Sequence, residues 1–377
     1  MTFETFELER NQSLFENTVE FNLTESGVEP LQLSELLSQA EQDELLAIRP
    51  GYGHTDGTPE LRAAIASWYP GASSDNVLVT TGAAEANFIA YWAMMRRGDA
   101  LALMLPNFLQ WKGLAAAFGH EVRPVLLMPT AAGWSLDRVS LAAATRDGHA
   151  RLIVICNPNN PTGAILDRAE REAIAAAAEG CGAWIVCDEI YRGSELDARG
   201  ETPTFFGQAE RVIVTASTSK SLAHAGLRIG WMVAPREIIA AAMERQDYTT
   251  IGTGPINQFL AARVMQRREA MLARGRGIIG RNAETIEAWI ASWGGRLSWR
   301  RPMAGGMAFI SYDFAIGSAE LSRRIREAQS VFVAAGAWFG MEGYLRLSTG
   351  GEPEHLKEAL ARVDRVLAAI VKESGCA

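Results

Sequence analysis

Short, continuous apolar runs recur along the first two thirds of this chain, and each is followed by a segment long enough for a helix. Such runs, rich in β-branched residues and bounded by turn formers, are typical of strands buried on both faces. Because parallel strands need long crossover connections, the alternation predicts an α/β fold with a mainly parallel central sheet flanked by helices. The strand-like runs lie at 77–80, 100–105, 122–126, 151–156, 183–187, 212–216 and 229–234.

From about residue 275 the pattern changes. A long Arg- and Glu-rich helical segment comes first, followed by short strand-like runs around 308–312 and 344–347. The chain then ends in an amphipathic helical segment over 353–372. These features predict a smaller α+β lobe beside the main sheet.

The chain is long enough for two lobes. We expect residues 1–45 to form an N-terminal arm and part of the small domain. Residues 46–275 are expected to form the large domain, and residues 276–377 the small C-terminal domain. The mixed acidic and polar start carries isolated aromatics such as Phe6 and Phe15, which predicts an arm that needs another surface to bury them.

Charge and cysteine usage narrow the possible partners. A formal net charge of −8 and a pI near 5.4 argue against a general binder of nucleic acid or anionic membranes. We find no apolar run of membrane-spanning length, no secretion signal and no metal-ligand spacing. The four cysteines are scattered along the chain, at Cys156, Cys181, Cys187 and Cys376. This distribution is typical of a reduced compartment, so we predict a cytoplasmic protein, and we expect Cys156 and Cys187 to lie in the core.

Lys220 stands where open α/β sheets bind their ligands, just beyond the apolar run 212–216. Small hydroxyl residues, Ser217 and Ser219, precede it. Arginine is the usual cation of this chain and cannot lose its proton, whereas a neutral lysine amine can form a Schiff base with a carbonyl. Lys220 is therefore a candidate nucleophile, although for this residue alone a solvated loop lysine is the simpler interpretation.

Further polar residues follow other predicted strands. The proline-rich loop 157–163 presents Asn160 as a rigidly placed amide. Asp188 lies just beyond the next strand and could pair with a cationic ring nitrogen, and Tyr191 lies one helical turn further on. The alternatives are a structural turn for the loop and an ordinary ion pair or helix cap for Asp188.

An anion could bind near the same edge. The turn containing Gly82, Ala83 and Ala84 opens a helix, so its N–H groups could point at a phosphate. Ser217 and Arg228 could clamp the same group. Many such turns bind nothing, and an arginine of this kind often makes only a surface ion pair.

Two more residues are candidates for ligand contacts. Phe108 follows a predicted strand and could cover a ring face, although an aromatic residue there is more often part of the core. Arg346 lies within an apolar, strand-like run, where its charge needs a partner such as a ligand carboxylate.

In this order the motifs resemble the class I and II aminotransferases, which are fold-type-I enzymes dependent on pyridoxal 5′-phosphate. The resemblance runs from about Ser26 to Leu367 and also includes Tyr52-Gly53 with Gly57-x-Pro59-x-Leu61-Arg62. It implies an amino acid and a 2-oxo acid as substrates. It also implies a homodimer with shared active sites, in which Tyr52 reaches the phosphate bound by the partner subunit.

The resemblance also implies a role for each matched residue. Lys220 would form the Schiff base (aldimine) with the cofactor aldehyde and shuttle the proton. Asp188 would keep the ring nitrogen protonated, and Phe108 would stack on the ring. Tyr191 and Asn160 would form hydrogen bonds with the ring's 3′-oxygen. The residues implied to hold the phosphate or to lie beside the lysine are Gly82, Ala83, Ala84, Ser217, Ser219 and Arg228.

On the substrate side, the resemblance implies that Arg346, assisted by Asn160, binds the α-carboxylate. The segment that contains Gly27 usually closes over the substrate. Here it reads Thr24-Glu25-Ser26-Gly27, where the family often has a Gly-x-Gly-x-Pro turn, so the preferred side chain does not follow. Candidates to line the substrate side chain are Glu25, His54, Thr250 and Trp338.

Three functions fit these residues. The first is an aminotransferase, and the second is a pyridoxal-phosphate-dependent lyase, cyclase or oxidase acting on a modified, possibly arginine-derived, amino acid. Ser26-Gly27-Val28 and the segment 245–250 are similar to capreomycidine-synthase-like enzymes, which supports the second. The third, a non-catalytic regulator, is disfavoured because the short acidic start leaves no room for a DNA-binding module.

Overall fold

The structure is a computed structural model that describes residues 4–197 and 200–373. Cys376 and the first three residues of the predicted arm lie outside the described residues. The helices are α1 Glu7–Phe15, α2 Leu33–Leu36, α3 Gln39–Ala47, α4 Pro59–Ala66, α5 Gly82–Met94, α6 Gln110–Phe118, α7 Arg138–Thr145, α8 Arg168–Cys181, α9 Arg236–Gln246, α10 Pro255–Gln266, α11 Arg268–Ser292, α12 Ser318–Gln329 and α13 Pro353–Glu373. The strands are β1 Phe21–Asn22, β2 Val77–Thr80, β3 Ala100–Leu105, β4 Glu121–Thr130, β5 Gly133–Leu136, β6 Ala150–Cys156, β7 Trp184–Asp188, β8 Val212–Ser217, β9 Gly230–Val233, β10 Leu297–Trp299, β11 Met307–Tyr312, β12 Val331–Phe332, β13 Ala334–Ala335 and β14 Tyr344–Ser348.

An eight-stranded sheet in the order β2-β9-β8-β7-β6-β3-β4-β5 forms the centre of the molecule. Strands β4, β3, β6, β7 and β8 run parallel, whereas β9 is antiparallel to both β8 and β2, and β5 pairs antiparallel with β4. The predicted α/β fold with a mainly parallel sheet is therefore confirmed. Because β9 reverses direction between β8 and β2, the carboxyl ends of β2, β8, β7, β6 and β3 meet at one edge.

Alternation along the strands divides the core into two layers. On β8, Val212 and Val214 face one layer while Ile213 faces the other. The same alternation recurs on β6, where Ile153 and Val154 face opposite layers. Every strand of this central group is therefore apolar on both faces, which explains the continuous apolar runs in the sequence.

A four-stranded antiparallel sheet, in the order β10-β11-β14-β13, forms the smaller lobe. Helix α13 packs on it through a stripe at helical spacing that includes Leu356, Leu360, Val363 and Leu367. Helix α11 joins the lobes: Leu272 lies in the core of the large sheet and Ile286 in that of the small one. Among the described helices, none is long and apolar enough to cross a bilayer. The cytoplasmic location stays a prediction.

Two N-terminal segments differ from the expected secondary structure. The apolar residues from 31 to 47 recur at helical spacing, which predicts one helix, but the segment is broken into α2 and α3 because Ser38 accepts the N–H of Glu41 and starts a new helix with a reciprocal capping box. The predicted arm contains the nine-residue helix α1. Its Leu8 is buried in a cluster with Phe339, so the arm does need the surface of the small lobe.

Candidate active site

A cavity of about 430 Å³ lies at the edge of the sheet where the parallel strands end. That volume falls within the range of small-molecule and cofactor sites. Most of the residues predicted from the sequence line it, and Cys156, predicted as a core thiol, is buried beside them. The predicted residues that line it are Ala83, Ala84, Phe108, Asn160, Asp188, Tyr191, Ser217, Ser219, Lys220, Arg228 and Arg346.

Lys220 reaches this cavity from the loop after β8, and 22% of its side chain is accessible. Its Nζ lies 3.1 Å from Oε2 of Glu25, a carboxylate of the N-terminal segment that also lines the cavity. The amine lowers the pKa of Glu25 more than burial raises it. Lys220 is thus an accessible cation held at the cavity wall by one carboxylate.

Gly27 lies behind Lys220 and lines a neighbouring cavity instead. A Cβ at this position would come within 2.9 Å of the Ser219 carbonyl oxygen, so only glycine allows the N-terminal segment to approach the lysine loop this closely. In the structure Gly27 thus supports the approach of the two segments, and the predicted substrate contact stays a prediction.

Asp188 is the last residue of β7 and is enclosed by protein at the base of the cavity. Burial raises the pKa of its carboxyl to about 6, an effect that hydrogen bonds from the Ile190 N–H, at 3.1 Å, and from Asn87 partly offset. Asn87 is held in place because the Thr215 hydroxyl donates to its Oδ1 at 2.8 Å. A carboxylate in this environment is stabilised by a cation placed against it.

The end of the cavity where α5 begins is suited to bind an anion. Gly82 has φ +77° and Arg228 has φ +51°, and a Cβ on Gly82 would lie 2.5 Å from Nη2 of Arg228. Glycine is therefore required for the guanidinium to reach the start of α5. Gly82 itself is covered, while Ala83 and Ala84 line the cavity at the helix N-terminus, beside Ser217.

The wall of the cavity carries Tyr191 and Phe108. The Tyr191 hydroxyl lies 2.9 Å from Oγ of Ser26, and burial raises its pKa. The Phe108 ring contacts Phe6 edge to face, with centroids 4.8 Å apart. Both side chains lie where a bound ring could meet them.

Arg346 reaches the cavity from the middle of β14 and is only 2% exposed. It donates to Oδ1 of Asn160 at 2.8 Å and to the Thr24 carbonyl at 2.5 Å. Among the described residues its buried Nε has no hydrogen-bond partner. A buried guanidinium with donor capacity to spare suits a carboxylate ligand.

Four predicted residues lie elsewhere. Tyr52 is 96% exposed and lines a second cavity, together with His54 and Thr250. Trp338 packs against Phe332 in the small lobe, outside the lining of the main cavity. The structure thus brings only Glu25 of the suggested side-chain contacts into the main cavity.

Helix α1 contributes to the cavity in a way that was not predicted from the sequence. Glu9, Gln12 and Ser13 of this helix and Glu16 just beyond its end all line the cavity. Their spacing of three, four and seven residues puts them on one helical face, which is a signal present in the sequence. The helix was not predicted, and so its polar face could not be assigned. Asn87 and Gln110 of the lining were missed as well.

The residues present fit pyridoxal 5′-phosphate. The helix start and Arg228 suit a phosphate, the buried carboxyl of Asp188 suits a protonated ring nitrogen, and the amine of Lys220 suits an aldehyde. These groups all line one cavity of adequate size. In the described part of the chain, no cluster of three or more metal-ligating side chains is found.

Comparison with known proteins agrees with this geometry. The family model of aminotransferase class I and II matches residues 25–363. The chain is 29% identical to an aspartate aminotransferase of Streptomyces avermitilis, over 84% of this chain and 81% of the relative. It is 27% identical to the capreomycidine synthase of Streptomyces vinaceus, over 88% and 84%. The crystal structure of a PLP-dependent aminotransferase from Streptococcus suis superimposes with a TM-score of 0.92 at 25% identity, covering 98% of this chain and 99% of the other.

Proposed function

The chain belongs to the aminotransferase class I and II family of pyridoxal-phosphate-dependent enzymes, and we propose that it moves an amino group between an L-amino acid and a 2-oxo acid. The observation that carries this proposal is the position of Lys220, whose amine shares one cavity with Asp188 and Arg346. An amine, a buried carboxylate and a buried guanidinium are the groups that such an exchange requires.

Pyridoxal 5′-phosphate, when bound, supplies an aldehyde and a ring that accepts electrons from the substrate Cα. Lys220 would hold the cofactor through its Nζ, and its amine, when neutral, would take a proton from the substrate Cα and return it. A lysine suits this role because its amine can be neutral at working pH. Glu25, which pairs with the amine at 3.1 Å, becomes available to other cations when Lys220 is engaged.

Asp188 would hold the proton of the ring nitrogen. Burial raises the pKa of its carboxyl to about 6, and a cationic partner placed against it would favour the charged form of both groups. Asn87 and Thr215 orient the carboxylate through their hydrogen bond. Tyr191 is placed to donate to a ring oxygen beside Ser26.

Arg346 binds the α-carboxylate of the substrate. Asn160 and the Thr24 carbonyl fix its guanidinium through the two Nη atoms, which limits the rotation of the side chain. A fixed guanidinium orients the Cα–H bond toward the lysine and contributes through positioning.

We further propose a homodimer with shared sites. Tyr52 is 96% exposed and, with Ile251 and Ile256, forms part of an accessible surface around the second cavity. In a dimer this surface would cover the cofactor end of the partner subunit's cavity. Sedimentation at micromolar concentration should give twice the monomer mass, and Tyr52→Ala should weaken cofactor retention.

The test of the function is spectroscopic. The purified protein with bound cofactor should absorb near the visible edge. An accepted amino donor should convert that band to the pyridoxamine form, and a 2-oxo acid should restore it. A protein that never makes this conversion with any amino acid in a broad panel would contradict the proposal.

A second candidate is elimination or cyclisation of a modified amino acid. The similarity over 88% of the chain to a relative named capreomycidine synthase favours it. Glu25 also provides a carboxylate in the cavity that could accept a proton from the substrate. Release of ammonia or pyruvate without formation of the pyridoxamine form would establish this second function in place of the first.

A further inference from the structure

Helix α1 covers the substrate side of the cavity and is anchored on several sides. Leu8 is buried against the small lobe, and Gln12 donates to the hydroxyl and carbonyl of Thr24 at 3.1 and 3.3 Å. Its start contacts the large lobe through the edge-to-face pair of Phe6 with Phe108. We call residues 6–16 the α1 lid.

The lid adds carboxylates to the cavity. Glu9 and Glu16 of the lid line the same cavity as Glu25. Glu9 is exposed as a residue, yet protein atoms surround its carboxyl closely enough that desolvation raises its pKa despite the nearby cations Lys220 and Arg346. Desolvation also raises the pKa of Glu16, with repulsion from Glu25 and Glu9 adding to it. The three carboxylates are therefore close enough to repel one another.

Binding of the cofactor and of the substrate backbone would occupy the cations that line the cavity, and these carboxylates would then have no cationic partner. Lining cations of the described chain are Lys220, Arg228 and Arg346. In the proposed function, which this inference rests on, a phosphate occupies Arg228, the cofactor aldehyde occupies Lys220 and the α-carboxylate occupies Arg346. Glu9, Glu16 and Glu25 then remain without a cationic partner among the lining residues of the described chain, and a cationic substrate side chain would neutralise them.

A second observation links the predicted carboxylate-binding residue, Arg346, to the lid. Arg346 is 2% exposed, and its Nε has no partner among the described residues, so the guanidinium that would hold the α-carboxylate still has donor capacity. The carbonyl of Thr24 accepts hydrogen bonds from Arg346 and from Gln12 of the lid. The substrate backbone and the lid are thus anchored to the same residue.

We propose that the α1 lid and Glu25 select an amino donor whose side chain ends in a cation, a guanidinium or an ammonium group. Opposite charges in a partly desolvated cavity attract more strongly than in water. The same carboxylates repel a distal carboxylate, so aspartate and glutamate should be poor donors even though a relative is named for aspartate.

The first test compares L-arginine with L-citrulline, which have nearly the same shape and differ in one charge. Conversion of the cofactor-loaded enzyme to the pyridoxamine form is followed by absorbance in single turnovers. We expect kcat/KM for L-arginine to exceed that for L-citrulline by at least about 30-fold, and L-glutamate to be slower still. Equal values for arginine and citrulline, or a preference for glutamate, would overturn the inference.

The second test assigns the preference to the lid. Glu9→Gln should lower the arginine-to-citrulline ratio about tenfold, and Glu25→Gln should lower it similarly. Glu7→Gln is the matched control, because Glu7 is exposed on the same helix and is not part of the cavity lining. Because the readout is a ratio within one protein sample, a partly misfolded fraction does not change it. An unchanged ratio in both cavity variants would refute the assignment.

A binding measurement separates this inference from the proposed function. Calorimetric titration of the cofactor-loaded Lys220→Ala protein compares L-arginine and L-citrulline without turnover. Tighter binding of arginine supports the acidic lid even if no donor is transaminated. Efficient transamination of neutral or acidic donors, without preferential binding of arginine, would leave the aminotransferase proposal standing and reject the lid's role.

Discussion

The edge of the central sheet and the α1 lid face each other across one cavity, yet they are built differently. At the sheet edge, Ser217 is buried and Asp188 is partly buried, and both lie at strand ends and accept hydrogen bonds from backbone N–H groups. On the lid, Glu9 and Glu16 retain accessible surface, Glu9 on the nine-residue helix and Glu16 just beyond its end. The rigid side suits a cofactor that is the same in every family member, and the lid suits the part of the ligand that varies.

This difference indicates which side of the cavity determines the reaction and which side determines the choice of substrate. Residues on strand ends are positioned by the sheet and move little, so they can tune a cofactor and hold a proton. A helix anchored by a few contacts can change its polar face without disturbing that scaffold. We therefore expect changes at the edge to alter the rate of the reaction, and changes on the lid to alter the choice of substrate.

The largest loss of activity should result from a substitution at the sheet edge. Lys220→Ala should reduce turnover by at least about 10³-fold, because it removes both the attachment of the cofactor and the group that moves the proton. Steady-state kinetics and the absorbance of the loaded protein measure both losses. Lys357→Ala, at a lysine 54% exposed on α13, should keep full activity. Substantial turnover by the Lys220 variant would remove this residue from the mechanism.

Arg346→Lys should have the next largest effect, a fall in kcat/KM of about 100-fold carried mainly by KM. The lysine keeps the charge but loses the planar fork that could bind a carboxylate through two N–H groups. Arg236→Lys, at an exposed arginine of α9, is the control. A fall of the same size in kcat with KM unchanged would contradict a role in binding the substrate carboxylate.

Asp188→Asn should stabilise the cofactor-free protein above pH 6 by roughly 3 kcal/mol. The folded-state pKa of Asp188 is raised from 3.8 to about 6, so stability from this group is complete below pH 4 and is lost as pH rises through 6. The neutral asparagine escapes that loss, and the two proteins should be equally stable below pH 4. Denaturant unfolding at several pH values measures the difference.

With cofactor added, the parent protein should become more stable than Asp188→Asn, since a cationic ring nitrogen stabilises the carboxylate of the parent protein and not the amide of the variant. Asp43→Asn, at an exposed acid of α3, should change neither comparison. An Asp188→Asn protein that is less stable at every pH without cofactor would show that the carboxylate is not strained at the sheet edge.

The smallest effect should come from the lid. Phe6→Ala removes the aromatic contact with Phe108 that joins the lid to the large lobe, a pair worth about 1 kcal/mol. We expect KM for the amino donor to rise about fivefold while kcat stays within twofold. Leu14→Ala, at a residue 48% exposed on the same helix, provides the comparison. A larger loss of kcat than of KM would show that the lid takes part in the chemistry.

Much of the edge was predictable because its residues sit in short motifs at strand ends. Lys220 and Asp188 follow apolar runs, and the carboxyl ends of parallel strands meet, so their proximity follows from the fold. The structural roles of Gly27 and Gly82 were harder to predict from the sequence. Each of them is explained by a close approach of a distant segment, Ser219 for Gly27 and Arg228 for Gly82, that no local pattern reports.

The lid was not predictable for a related reason. Its helix has little apolar surface of its own and is held by contacts with residues about a hundred to more than three hundred positions away, such as Phe108 and Phe332. Short helices of this kind owe their stability to tertiary packing. The polar face of α1 becomes meaningful only once its apolar face has been docked.

By itself, the amino-acid sequence determined the alternation of strands and helices and the motifs at the strand ends, and the order of those motifs carries the resemblance to the family and its cofactor. The alternation depends on local periodicity, and the motifs are short stretches of the chain, so both can be recognised without the tertiary structure. Only the tertiary structure decided that Glu9, Glu16 and Glu25 share a cavity with Lys220, and that Tyr52 lies outside it. Side chains from distant segments converge through packing of the two lobes, and packing depends on the whole chain at once.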